Sequence, residues 1–437
     1  MTTTDDPTGS VEDPVPPSDG NGARASTFAS FAIGQFRIIW VGTFLYYLAI
    51  FSSIVARGAL AKELGGTNTA LGVVTLAFGA VSLVMTPIGG VMADRLPKRR
   101  ILVAATALLA LTSLGLGITE ALDITRFWML IVVSGLQAVA FAILVPARMA
   151  FTVDLVGPKL IPNAVALAQV SLNSNRVLGP AVAGVFLGVA WLGFAAVYFF
   201  SAALALAGAF CFLLLGPGDP NPDRPQRAPL AEMADGVRYA NSVPSVRLVV
   251  GLSIAVTMVG FPYVAFLPSV SEDFYGRGAE GFAWLSLIGA LGGLLAGILV
   301  ARSVLAQGPR IQVSSGLLLA VGLAAIGIAP TFATALGAAF IVGASTAGFQ
   351  TMNATLALSL SEAAYHGRIQ SLLGLGFSAF GLASLPLGVL ADWIGLRETF
   401  LLMALITALL VVGGELVWRR DRPEELLAIA DRPGAAR

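Results

Sequence analysis

The sequence predicts an all-α membrane protein, with twelve transmembrane helices arranged as two six-helix bundles. Three observations predict it. Of the 437 residues, 57% are hydrophobic and only 12% are charged. That is about half the charged share of a soluble domain, so the chain lacks the polar coat that water demands. Apolar runs of about 20 residues, the length that crosses a bilayer, recur twelve times. The longest polar interruption, residues 216–245, divides those runs six and six.

Composition also excludes whole classes of function. A net charge of +1 argues against nucleic acid as a partner. A single cysteine, Cys211, precludes an internal disulfide or a thiolate metal cluster, and a single histidine, His366, precludes a His-based zinc site or a Ser–His–Asp triad. There is no phosphate-cradling Gly-rich loop of the kind that would couple ATP directly. The expectation is a protein that is not an enzyme and uses no cofactor and no metal.

Taken in order, residues 1–30 are rich in Asp, Pro, Gly, Ser and Thr and read as a disordered tail. They lack the basic start of a cleaved signal, so the first span is expected to direct insertion. Spans are predicted near 38–60, 69–92, 101–119, 126–145, 162–189 and 194–215, forming a first bundle over 31–215. The linker 216–245 opens Pro-rich and closes on Leu230, Met233 and Val237 at helical spacing, an amphipathic stretch suited to a membrane surface. Spans near 246–267, 281–301, 311–328, 331–356, 367–390 and 398–418 form the second bundle, 246–418, and 419–437 is a tail.

Basic residues set the orientation. With both termini inside, inner segments hold 20 of the 26 Lys and Arg, while five (Arg57, Lys62, Arg126, Arg277 and Arg397) fall in outer loops. Both tails are therefore expected to be cytoplasmic, in the inner or plasma membrane, with the chain monomeric. The halves echo each other weakly: "WLGFAAVYFF" at 191–200 resembles "WIGLRETFLL" at 393–402, and "GVMADR" at 90–95 resembles "GILVAR" at 297–302. Parallel six-helix repeats characterise one large transporter class.

The densest charge in the chain is "GGVMADRLPKRR", 89–100, between spans 2 and 3. Gly90, Met92, Ala93, Asp94, Arg95, Lys98, Arg99 and Arg100 match the register of the Gly-x-Leu-Ala-Asp-Arg-x-Gly-Arg-Arg signature of the major facilitator superfamily, with Met92 for Leu and Pro97 for Gly. On these residues, across about 35–420, the chain resembles that superfamily. The resemblance implies a gating loop whose Asp94 stabilises the outward-open state through a helix of the other half. The position corresponding to Asp94 is Ala301, which makes the lock one-sided. In span 5, Gly179, Pro180 and Gly184, with Ala183 in place of a Gly, resemble the antiporter signature associated with exporters. The segments 146–167 and 366–395 resemble the enterobactin-exporter-like, or transmembrane secretion effector, branch.

Polar side chains inside spans are the candidates for a substrate path. Gln169, Asn173 and Arg176 share one face of span 5. In span 10, Thr346, Gln350 and Asn353 do the same, and Gln137 shares a face of span 4 with Phe141. Trp40, Phe44, Tyr47 and Phe51 form an aromatic stripe on span 1. Arg176 is either a packing pin or an anion or proton-linked site, and the Gln and Asn residues are either interhelical ties or cavity lining. None of the acidic residues falls mid-span, which leaves Asp154 as the proton-coupling candidate. The resulting expectation is a secondary-active exporter of a small amphipathic molecule such as a drug, siderophore or secondary metabolite. Its partners would be that small-molecule substrate and the lipid bilayer. The alternatives are an importer or facilitator, or a non-transporting lipid-handling or sensory protein.

Overall fold

The computed structural model describes residues 28–189, 192–218, 229–301, 307–362 and 365–421. The expectations for the remaining tail and linker residues lie outside this set. Among the described residues the chain folds into fourteen α-helices and two short 3-10 turns, with no strand. The first bundle holds α1 (Gly34–Gly65), α2 (Asn68–Arg95), α3 (Lys98–Ala121), α4 (Phe127–Val156), α5 (Ile161–Gly188) and α6 (Gly193–Leu213). The helix α7 (Pro229–Ser242) follows. The second bundle holds α8 (Pro244–Gly260), α9 (Tyr263–Tyr275), α10 (Gly278–Ala301), α11 (Gly308–Ile328), α12 (Phe332–Ser359), α13 (His366–Ile394) and α14 (Leu396–Asp421).

Eleven segments are long and apolar enough to cross a membrane, with Pro244–Tyr275 counted as one span broken at Phe261–Pro262. The twelfth by position is α5. Its 28 residues reach about 42 Å at 1.5 Å per residue, although Gln169, Asn173, Asn175 and Arg176 interrupt its apolar run. Helix ends follow local chemistry. Gly66 closes α1 in the left-handed region at φ 70°, and the Thr67 side chain caps α2 by accepting from the Ala70 N–H. Leu96 is extended because Pro97 follows it, which separates α2 from α3.

One boundary departs from expectation. Pro146 does not end the fourth helix, which runs on to Val156. In a bilayer the backbone groups that a proline frees can be satisfied by neighbouring helices, so Pro146 is a poor stop signal there.

The pairing of helices repeats between halves. In the first, α1 packs on α5 and α6, α3 on α4 and α6, and α2 on α4. In the second, α8 packs on α13 and α14, α11 on α12 and α14, and α10 on α12. Each pair is the other advanced by six spans. Between halves, α2 packs against α13 and α5 against α10.

The apolar core shows how the halves meet. One cluster joins both halves: Ala56 and Leu60 of α1, Leu71 and Val74 of α2, Ala183 of α5, Phe266 of α9, Phe282 of α10 and Ala391 of α13. All these residues lie toward the end of the molecule remote from the termini, here called the far end. Toward the termini end the core splits. One cluster there belongs to the first bundle (Phe36, Tyr46, Leu102, Leu144, Phe151) and another to the second (Val246, Val250, Leu356, Ile369). The halves therefore share one core at the far end and have separate cores toward the termini, where α7 also touches α2.

Candidate substrate path and its gates

The far-end closure rests on small residues and two polar ties. Gly79 of α2 faces Gly381 of α13 so closely that a Cβ on either would strike the other's backbone. One turn from the far end, a Cβ on Gly388 would collide with the backbone of Asn68 and Thr69. This approach brings Asp392 of α13 onto the first turn of α2. Its Oδ1 accepts from the Asn68 N–H (2.8 Å) and Nδ2 (2.9 Å), and its Oδ2 from the Thr69 N–H (2.8 Å) and Oγ1 (2.6 Å). A carboxylate on the free N–H groups of a helix start suits both the hydrogen bonding and the helix dipole. Lys62 and Asp273, at the ends of α1 and α9, form an ion pair of 2.9 Å alongside.

At the termini end the gating candidates are disengaged. Asp94 and Arg95 are exposed and make no hydrogen bond or ion pair among the described residues, and a Cβ on Gly90 would meet nothing within 4 Å. The rest of the basic loop is tied to its own bundle. Arg99 Nη1 donates to the Leu215 carbonyl (3.0 Å), and Lys98 Nζ pairs with Asp154 at 2.9 Å. The proton-coupling candidate Asp154 is thus the counter-ion of Lys98, whose side chain is only 4% exposed. The helix α7 is fixed to the second bundle beside the start of α13. Asp235 pairs with Arg368 (2.7 Å), and Tyr239 stacks on Tyr365 with ring centroids 3.9 Å apart.

The span-5 signature residues sit at two crossings. A Cβ on Gly179 would strike Phe51 of α1, and the Gly179 carbonyl accepts from Ser52 Oγ (3.2 Å) beside the buried Pro180. Gly184 lies against Ala283 of α10, 2.8 Å from where its own Cβ would stand. The first holds α5 to its own bundle and the second lets it touch the other half.

The polar candidates divide. Gln137 is fully buried. Its Oε1 accepts from Arg57 Nη1, and its Nε2 donates to Ser53 Oγ (3.2 Å), so it ties α4 to α1. Asn353 accepts from Gln312 Nε2 at 2.7 Å and ties α12 to α11. Gln350 is half-buried and Gln169 exposed, while the Asn173 side chain lies outside the described set. Arg176 is half-buried, with the phenols of Tyr47 in the first half and Tyr263 in the second as electrostatic neighbours. Of all the candidates it stands most clearly between the bundles.

Several residues at these sites escaped the sequence reading. Arg57, assigned there to an outer loop, is buried within α1. Arg148, assigned to an inner loop, is buried within α4 because that helix continues past Pro146. Asp392 was missed although a signal existed. "GVLAD" at 388–392 repeats "GVMAD" at 90–94, with the Gly four residues before the Asp in both. The same pattern therefore recurs at the far end of α13, at Asp392, while Ala301 stays the position that the six-span repeat pairs with Asp94. Weighing it against the parallel repeat alone hid it, because α2 and α13 run antiparallel.

Comparison with known proteins agrees with this architecture. The Major Facilitator Superfamily family model matches residues 39–331. The chain is 25% identical over 405 residues to an uncharacterized MFS-type transporter, YfiS of Bacillus subtilis, covering 87% of this chain and 91% of the relative. It is 27% identical over 342 residues to the enterobactin exporter EntS of Escherichia coli O6:K15:H31, covering 75% and 79%. Among solved structures it resembles a bacterial homolog of the human lysosomal transporter Spinster in an inward-facing, unoccupied conformation. That match has a TM-score of 0.70 at 16% identity and covers 89% of this chain and 97% of the other. It also resembles the nucleoside transporter NupG, with a TM-score of 0.66 at 13% identity, covering 88% and 99%.

Proposed function

Because the chain belongs to the Major Facilitator Superfamily, and is a multi-pass membrane transporter and not an enzyme, we propose that it exports a small amphipathic molecule by alternating access. The observation that carries this is the core, continuous across both bundles at the far end and split in two toward the termini. Two rigid bundles hinged in this way present a path to one side at a time. Basic-residue bias supports a cytoplasmic termini end; in this reading the conformation loads cargo from inside at the plasma membrane. The export direction is supported by the similarity to an enterobactin exporter.

The switch in this reading is a pair of reciprocal carboxylate caps. Asp392 of the second half caps α2 of the first and holds the far end shut. When the bundles rock, Asp94 of the first half caps the start of α13, which has no side-chain cap here. Gly388 and Gly90 permit the two approaches. Any ion coupling would act through such locks, since no Asp or Glu is buried among the described residues.

The direction test is vesicle flux. Inside-out vesicles should accumulate the cargo under an imposed gradient, and cells lacking the protein should retain it. Uptake that is lost from intact cells on deletion would instead identify an importer.

A further inference from the structure

We propose that the cleft between α1, α4 and α5 at the termini end binds an oxyanion, a carboxylate or phosphate group, with Arg148 as its guanidinium clamp. The cleft is lined by Trp40, Thr43, Arg148, Thr152, Ala168 and Ser171, among others. Arg148 is 7% exposed and makes no ion pair or hydrogen bond among the described residues. Its Nε, the Thr43 Oγ1 and the Ser171 Oγ are all buried without a partner. Three polar groups on three helices thus converge on one small space with nothing to bond.

A buried polar group without a partner is costly, and a buried charge more so. The other buried cations of the first bundle are each supplied: Arg57 by the Gln137 amide, Lys98 by Asp154. No acid is buried among the described residues to serve Arg148. Among the described residues its aromatic companion is the Tyr47 ring, 5.9 Å from the guanidinium, a cation–π contact that leaves the buried Nε–H unspent. A planar fork of donors flanked by two hydroxyls matches a carboxylate or phosphate. Trp40, held by its Nε1 to the Leu167 carbonyl at 2.9 Å, gives the same cleft an aromatic wall. The ligand is therefore an oxyanion attached to an apolar body. Such a group could come from the cargo itself or from an anionic lipid. The cargo assignment rests on the transport reading above; the binding does not.

The experiment uses the full chain in nanodiscs and measures melting temperature and a binding isotherm. In discs of phosphatidylcholine alone, the probe is benzoate, with benzamide as its uncharged counterpart. A second arm adds phosphatidylglycerol as about a third of the lipid, with no benzoate. We expect benzoate to raise the melting temperature saturably and benzamide not to. Arg148→Gln should abolish the shift, and Arg148→Lys should weaken binding at least tenfold. Thr43→Val and Ser171→Ala should each weaken it severalfold, which keeps the test valid should Arg148→Gln fail to fold. A shift in the phosphatidylglycerol arm alone, lost in the same variants, assigns the oxyanion to lipid. Absence of an Arg148-dependent shift in both arms, or equal shifts in wild type and every variant, overturns the inference. Anion binding without any transport would fail the transport reading and leave this one standing.

Discussion

Gln137 is the acceptor that lets Arg57 sit inside α1, where the residue is only 4% exposed. An arginine within a span costs about 2.5–3.5 kcal/mol on insertion scales, and losing its acceptor adds the penalty of an unmet charged donor, about 1–3 kcal/mol. Gln137→Ala should therefore lower the detergent melting temperature clearly. Gln137→Glu, which keeps an acceptor and adds charge, should hold or raise it. If both variants melted like wild type, the α1–α4 tie would carry no stability. Asp154 belongs to the same category, since it answers a lysine that is almost fully enclosed.

At the scale of helices, the proposed switch lies on the antiparallel pair α2 and α13. The same Gly-Val-x-Ala-Asp pattern ends both, engaged at Gly388–Asp392 and open at Gly90–Asp94. Gly388→Ala should prevent far-end closure, because the added carbon strikes the backbone of Asn68 and Thr69. Gly90→Ala meets open space here, and gains up to about 1 kcal/mol of helix propensity. We expect Gly90→Ala to melt no earlier than wild type yet to transport more slowly, because the opposite conformation needs that approach. Vesicle flux beside detergent melting checks both variants. Full transport by Gly90→Ala would mean that the termini end closes without the close approach.

For the molecule as a whole, the question is the balance between two arrangements of the same bundles. A carboxylate at a helix N-terminus contributes about 0.3–1 kcal/mol, up to about 2 when partly buried. That suffices to move a nearly balanced equilibrium several-fold. Asp392→Asn should shift the population toward an open far end, and Asp94→Asn should hold it as seen here. Spin labels at Leu96 and Gly367 report the termini end, and a pair at the exposed Leu122 and Ile328 reports the far end. In Asp392→Asn the first distance should shorten and the second lengthen, with the opposite bias in Asp94→Asn. Identical distance distributions in both variants would show that these carboxylates do not set the balance.

Much of the architecture was legible in the chain itself. The hydrocarbon core of a bilayer has a fixed thickness, so twelve apolar runs and a polar break at 216–245 determine twelve spans in two bundles. The charge cluster at 94–100 marks a membrane boundary between α2 and α3 for the same reason, since ionised groups gather where the membrane ends. Contacts between halves were not legible. Whether Gly79 meets Gly381, or Asp392 caps α2, depends on residues some 300 positions apart, and neither periodicity nor hydropathy encodes that approach. The buried arginines fell to a related difficulty. Sequence placed Arg57 and Arg148 near loops, because an apolar run is cut where charged residues begin. Tertiary structure enclosed them, because α1 and α4 run past the predicted ends and pack against their neighbours. It also decided which carry an acceptor, since a hydrogen bond needs two groups within about 3 Å, and only packing brings Gln137 to Arg57 while leaving Arg148 with donors to spare.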